Sequence, residues 1–356
     1  MKYPTLDPDE RRRRLSVPSG RIRLVLDTDA KNEIDDRFAI AWALRSPDRF
    51  CVEAVYAAPF SHDCLRSLFG GKSLEHAPGI TYAEDPAAGM EQSYEEIVKL
   101  YQMMGMDPAG KVFRGAGEYL VDKGAPVDSP AVQDLIRRAM SSPEPLYVAA
   151  MGAITNIASA ILLEPALVEK IVVVWLGGQP LYFDHGMEFN LMQDVAAAQV
   201  LFDSGVPLFY IPCMNVASLL SLSKDEVEAR LMGKGELATY LGTEVLHSFQ
   251  HPQGAILAAS MFRRSYLMHR EDQDEAYLNQ FQSQYVAWSR VIWDVSTIAF
   301  LKNPNWVPST LVPAPVLQKD LYWALTQPSR HLIRVANYCH RDLIFGDMLH
   351  CICEQL

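Results

Sequence analysis

Five carboxylates fall close together near the start of the chain: Asp27, Asp29, Glu33, Asp35 and Asp36. At that density they repel one another unless something cationic offsets them. Helix N-terminal dipoles contribute about 0.3–1 kcal/mol each, too little for a close cluster. A hard divalent cation suits the pattern, because Ca2+ and Mg2+ take carboxylate and carbonyl oxygens. The rival reading is a solvated cluster in which Asp35 or Asp36 caps a helix. A second candidate is Asp294, set among Val291, Ile292, Ile298 and Phe300. A carboxylate buried there needs a partner, and a metal is one; a helix cap is the alternative.

These residues need elements to hold them. Residues 22–28 read as a short aliphatic strand, 35–46 as a helix and 51–58 as a second strand stopped by Pro59. That βαβ opening predicts a parallel sheet. A long connection, 61–90, suggests a lid, with Gly70-Gly71 and Gly89 as hinges. Residues 91–104 read as a helix opened by a Ser93-x-x-Glu96 capping box. Helices follow at 129–141, 154–163, 194–204, 223–231 and 234–249, and strands at 146–151, 170–176 and 208–212. Residues 274–302 read as partly helical, 309–338 as short strands and turns, and 341–354 as a closing helix. The expected fold class is α/β: a single domain over 22–356 with an open, mainly parallel β-sheet flanked by helices. Such sheets bind ligands outside the carboxyl ends of their strands. Residues 1–21, with Arg11 to Arg14, read as a flexible, solvated N-terminal arm.

The chain has 356 residues, 49% of them hydrophobic, which suffices for a packed core and excludes disorder. The net charge of −11 gives no electrostatic footprint for nucleic acid. No apolar run reaches the ~18 residues that cross a bilayer, and Met1–Arg23 lacks the apolar stretch of a secretory signal. Six scattered cysteines fit a reducing compartment, so a cytoplasmic protein is expected. Cys351-x-Cys353 lacks the spacer usual in zinc sites.

Four passages, in order, resemble the inosine-uridine-preferring nucleoside hydrolase family. They are Leu24–Asp29 with Asp35-Asp36-x-x-Ala39; Met151-Gly-Ala-Ile-Thr-Asn156-Ile-Ala158; Glu188-Phe-Asn190 with Asp194-x-Ala-Ala197; and Trp293-Asp294 with Ala299. The resemblance spans about 22–356 and implies Ca2+-dependent hydrolysis of the N-glycosidic bond of a ribonucleoside or related ribosyl compound. It implies that Asp29 is both metal ligand and general base. By the same resemblance Asp36, Asp294 and the Met151 carbonyl hold the ion, Asp35 touches the ribose hydroxyls, and Glu188 and Asn190 bind the sugar. It leaves room for a homo-oligomer. Physically, an oxocarbenium-like transition state favours a carboxylate-rich floor.

The sequence also departs from the family pattern. Five residues, Ala30–Ile34, separate Asp29 from Asp35 where three are usual, which brings Asn32 or Glu33 towards the site; Lys31 could follow them, but a solvated Lys31 is the favoured reading. Trp293 stands where many members hold a histidine; it cannot protonate a leaving base but can stack on one. After the second strand, Ser61, His62 or Asp63 replaces a sugar-contacting Asn, and His62 is the candidate for substrate contact. Asn156 reads as structural, bonding backbone at a strand–helix turn. Two other functions compete: a non-catalytic protein that binds metal and a ribosyl ligand, and a Mg2+-dependent phosphohydrolase using Asp27-Thr28-Asp29. The second resembles haloacid-dehalogenase-type phosphatases, but Ala30-Lys31-Asn32 replaces their Gly-Thr/Val step.

Overall fold

The computed structural model describes residues 3–62, 81–250, 289–324 and 328–353. In chain order its strands are β1 (Ile22–Thr28), β2 (Phe50–Ala57), β3 (Val112–Arg114), β4 (Leu146–Ala150), β5 (Ile171–Leu176) and β6 (Leu208–Ile211). Then come β7 (Ser221–Ser223), β8 (Ser289–Val291), β9 (Ser309–Pro313), β10 (Val316–Leu317), β11 (Trp323–Ala324) and β12 (Leu332–Ala336). Eight of them form one sheet in the order β3-β2-β1-β4-β5-β6-β12-β9. Its pairs are parallel except β9, which runs antiparallel on β12. The open, mainly parallel sheet of a single domain read from the sequence is therefore present.

Both faces of the sheet are covered, so its central strands are apolar throughout rather than alternating. All six residues of β5, Ile-Val-Val-Val-Trp-Leu, are buried. Their side chains alternate between two cores. Leu24, Leu26, Val172, Val174 and Phe209 enter one, under the helices Asp35–Leu44, Pro86–Met103, Val295–Lys302 and Arg341–Cys353. Val25, Val148, Val173, Trp175 and Tyr210 enter the other, under Pro130–Met140, Thr155–Leu163 and Val195–Ser204.

The strand order reverses direction between β1 and β4, and such a switch point opens a crevice at the carboxyl ends. Register aligns those ends: Asp27 lies opposite Ala150, Ala150 opposite Trp175, and Leu176 opposite Ile211. The residues just beyond, Thr28-Asp29, Met151-Gly152, Gly177-Gly178 and Pro212-Cys213, therefore share one rim.

Several local readings change. The helix read over 91–104 begins at Pro86, with Asp85 as its cap accepting the Ala88 amide at 2.8 Å. Ser93 and Glu96 are buried inside it and form no capping box. A Pro-led start capped by Asp outcompetes the later Ser-x-x-Glu pattern. Gly89 is helical too, and is no hinge. A Cβ there would stand 2.0 Å from the Phe60 carbonyl oxygen, so the helix crosses the chain after β2 at backbone contact. Gly70-Gly71, Asp63 and most of the suggested lid lie outside the described residues, as does 274–288. Near the N-terminus, where the sequence suggested a solvated arm, Pro8–Arg14 forms a helix capped by Asp7. Arg11 is buried and donates to the Gly205 carbonyl at 2.8 Å, while Arg12 and Arg13 stay in solvent. Cys351 and Cys353 also part: the first faces Asp347 and the second donates to the Arg230 carbonyl. Among the described residues no helix is long and apolar enough to cross a membrane.

Gly89→Ala forces backbone apart at a packed crossing and is expected to cost about 1–3 kcal/mol of stability. Urea unfolding measures it; an unchanged midpoint contradicts the close approach.

Candidate active site

Asp29 follows β1 directly, and Asp35 and Asp36 open the next helix, whose first turn has no side-chain cap. Asp294 stands at the head of the helix Val295–Lys302 and likewise bonds no amide of it as a cap. All four are buried. Carboxylate oxygens of Asp35, Asp36 and Asp294 lie within 4.8 Å of one another, the only such metal-holding group among the described residues. The Asp294 amide donates to Asp35 Oδ2 at 3.3 Å, and Thr28 Oγ1 donates to Asp36 Oδ1. Two oxygens have no hydrogen-bond partner: Asp29 Oδ2 and Asp35 Oδ1. Buried acceptors without donors are costly.

Burial pushes the Asp35 carboxyl up to about 8, with Glu33 and Asp36 adding to it and Arg290 opposing. Burial likewise raises Asp36 to about 6, against the hydrogen bond from Thr28. Asp29 and Asp294 are both held well above the carboxylate range, first by burial and then by their acidic neighbours. Asp27, one strand position deeper, is raised by burial to about 7 although Asn156 donates to it at 2.8 Å. An all-oxygen set with raised pKa values and orphaned acceptors fits a hard divalent cation. The sequence assigned Asp29, Asp36, Asp294 and Met151 to the ion and Asp35 to the sugar; geometry puts Asp35 in the tight trio, with Asp29 beside it.

The remaining sequence candidates fall into place as follows. The Met151 carbonyl lies at the end of β4 and accepts Asn190 Nδ2 at 3.1 Å; the same amide donates to the Leu176 carbonyl at 3.0 Å. Asn190 thus ties the ends of β4 and β5 together, and its oxygen is the part left for a ligand. Glu188 is the cap of the helix Phe189–Gln193 and accepts the amides of Gly178, Asn190 and Leu191 at 2.7, 3.0 and 3.1 Å. Burial still pushes it up to about 7. His62 is packed among the rings of Phe60, Tyr82 and Phe189, 5.7–6.0 Å between centroids. Burial lowers it to about 4, so it is neutral near pH 7. Trp293 is half-buried against the core on the Leu24 side. Asn156 is structural, as read: it bonds Asp27, the Ala57 carbonyl and the Ala116 amide.

Sequence reasoning missed others. Gly152 admits the Asp29 carboxylate: a Cβ there would sit 3.1 Å from both Cγ and Oδ1. Its place right after Met151 was the available signal. Arg290 on β8 pairs with Glu33 at 2.8 Å, which no local pattern announces. Burial, and after it Glu188, Glu33 and Asp35, holds the Cys213 thiol well above the usual range. Lys31 points away from the four acids, to Glu96 at 3.0 Å. Glu96 also meets Arg37 Nε at 3.3 Å and accepts Tyr240 OH. Burial acts to raise the Glu96 carboxyl, but Arg37, Tyr240 and Lys31 bring it below its ordinary value.

Three comparisons bear on the site. The family model described as inosine-uridine preferring nucleoside hydrolase matches residues 24–336. A plant protein named "Probable uridine nucleosidase 2", from Arabidopsis thaliana, is 26% identical over 226 residues, covering 62% of this chain and 68% of its own. Among solved structures, the purine-preferring ribonucleoside hydrolase from Gardnerella vaginalis superposes with a TM-score of 0.61 at 18% identity, over 93% of this chain and 98% of that one. A plant nucleoside hydrolase gives 0.60 at 16% identity, over 94% and 99%. At these identities the structures speak for the fold alone.

The raised carboxyls make the cation-free protein sensitive to alkali. Each stays protonated in the fold while it ionises in the unfolded chain, so the penalty is absent below about pH 4. It grows as pH rises, and for Asp36 and Asp35 is complete above their folded values of about 6 and about 8. In a chelator, Tm is expected to fall between pH 5 and pH 8 (about the window between those limits), and a divalent cation should raise Tm more at the upper end. A flat Tm profile, unmoved by cation, contradicts this.

Proposed function

We propose, from the premise that this chain belongs to the inosine-uridine preferring nucleoside hydrolase family, that it is a Ca2+-dependent N-ribosyl hydrolase acting on a ribonucleoside or a related ribosyl compound. Family membership carries the hydrolysis of the N-glycosidic bond. The ion and the role of each side chain are the finer reading. The observation that supports it is the set of four buried carboxylates at the switch-point rim, two of them with orphaned oxygens.

Asp36, Asp294 and Asp29, with the Met151 carbonyl, would hold the cation, and Asp35 would share its oxygens between that group and the ribose hydroxyls. A bound divalent cation would orient a sugar diol and a water and lower that water's pKa. Asp29 is the base: its free Oδ2 is a buried acceptor that a water can donate to, and burial, with Asp36 and Asp35 beside it, raises its proton affinity above that of an ordinary carboxylate. The carboxylates outnumber the charge of a divalent ion, so the floor stays negative where an oxocarbenium-like sugar develops positive charge. Glu188, fixed by three amides, and the Asn190 oxygen would accept ribose hydroxyls. His62, neutral and packed with Tyr82 and Phe189, would belong to an aromatic wall beside a leaving base; Trp293 is a second ring for that role.

The family match speaks for N-glycosidic hydrolysis over the phosphohydrolase alternative. Incubating the protein with a ribonucleoside panel, uridine and inosine included, should release free ribose, stop with EDTA and resume with Ca2+. Asp29→Asn is expected to lower kcat by about 10²–10⁴-fold, the range for loss of a general base, with little change in fold. Full rate in that variant removes Asp29 as base. Ca2+ binding and ligand-induced stabilisation without ribose release would leave a binding protein.

A further inference from the structure

Lys31 is the one lysine in the spacer between Asp29 and Asp35. The spacer turns tightly on Asp29: the Asn32 amide donates to the Asp29 carbonyl at 2.7 Å. Lys31 therefore leaves the chain beside four buried carboxylates that lack sufficient countercharge. A lysine stem is flexible and its ammonium is a compact point charge. By charge alone, that ammonium belongs among the acids.

It is instead drawn the other way. Its Nζ lies 3.0 Å from Glu96 Oε2, and its backbone amide faces Ser93 Oγ at 3.4 Å. Both partners lie on the helix Pro86–Met103 and both are buried. Glu96 is held independently of Lys31, by Tyr240 OH and by Arg37. Arg37 is itself committed to the Ala30 carbonyl at 3.1 Å and to Glu244 at 2.6 Å. Arg290 is committed to Glu33. Among Lys31, Arg37 and Arg290, Lys31 alone carries its charge on a flexible unbranched stem, and Glu96 is the one carboxylate it pairs with among the described residues.

We infer that Glu96 is a positioning residue that keeps the Lys31 ammonium out of the carboxylate cluster, leaving those oxygens to a divalent cation. With Glu96 neutral, Lys31 turns inward and competes as a tethered cation. The inference rests on the cation reading of the site, but its test separates the two.

Ca2+ is titrated by calorimetry into chelator-stripped full-length protein and three variants: Glu96→Gln, Lys31→Met, and both together. Wild-type protein should bind. Glu96→Gln should weaken binding by about 10- to 100-fold, the usual loss when a residue one shell from a metal is changed. Lys31→Met should match wild type, and the double variant should recover most of the loss. Recovery is the readout a merely structural Glu96 would not give. A double variant as weak as Glu96→Gln, or a Glu96→Gln affinity equal to wild type, overturns the inference while leaving the cation site standing. No binding by wild-type protein overturns both. If Glu96→Gln does not fold, Glu96→Asp keeps the charge but shortens the reach, and the same rescue by Lys31→Met decides.

Discussion

Like charges held close together in a dry place are the constraint on which this molecule turns. Asp29, Asp35, Asp36 and Asp294 are buried and mutually repelling, with burial as the largest cause of their raised pKa values. Nothing in an apolar core asks for such a group. The scaffold that tolerates it is correspondingly stiff. Parallel strands buried on both faces set the height of the rim, Asn190 fastens two strand ends across it, and Gly152 removes the side chain that would push Asp29 aside. Around the acids stand cations committed to other partners: Arg37 to Glu96 and Glu244, Arg290 to Glu33. The surroundings blunt the repulsion without cancelling it, which leaves a demand for positive charge in the crevice.

Much of this was legible because local patterns and burial agree. β1, β4 and β5 are continuous aliphatic runs, and such runs have few alternatives to a covered parallel strand. Asp29, Asp35 and Asp36 stood out by density, and Asp294 by its apolar setting. Where reading failed, two local signals competed or the decisive contact was distant. Ser93-x-x-Glu96 is a sound cap pattern, but Asp85-Pro86 lies earlier and starts the helix first; Ser93 and Glu96 then serve as anchors for the spacer carrying Lys31. Four arginines in a row look solvated, yet Arg11 reaches the Gly205 carbonyl just past a distant helix. The Glu33–Arg290 pair depends on β8 joining β7, a pairing no local pattern encodes.

Glu188 illustrates a dual demand. Read as a sugar contact, it is also the cap of a short helix, with three amides on its two oxygens. A group fixed in that way loses little entropy when a hydroxyl arrives, since its rotamer is already chosen. His62 has similar fixity for a different reason, being wedged between rings, with the Ala83 amide donating to its Nδ1 at 3.5 Å. Both are rigid before any ligand is present, which is what precise positioning of a sugar and its leaving base requires.

Asp35 and Asp294 meet across 259 residues of sequence. Synthesis at about 5–20 residues per second separates their appearance by tens of seconds. Throughout that interval a growing chain carries the first three acids without the fourth and without the helix that covers them. The early segment is then free to keep its carboxylates hydrated, and the repulsion is met only when the downstream helix docks. The sheet around β1 is complete once β4 is made, but drying the crevice is a late event on the ribosome, so a chain truncated before Asp294 retains most of the strands yet never assembles the centre they were built to hold.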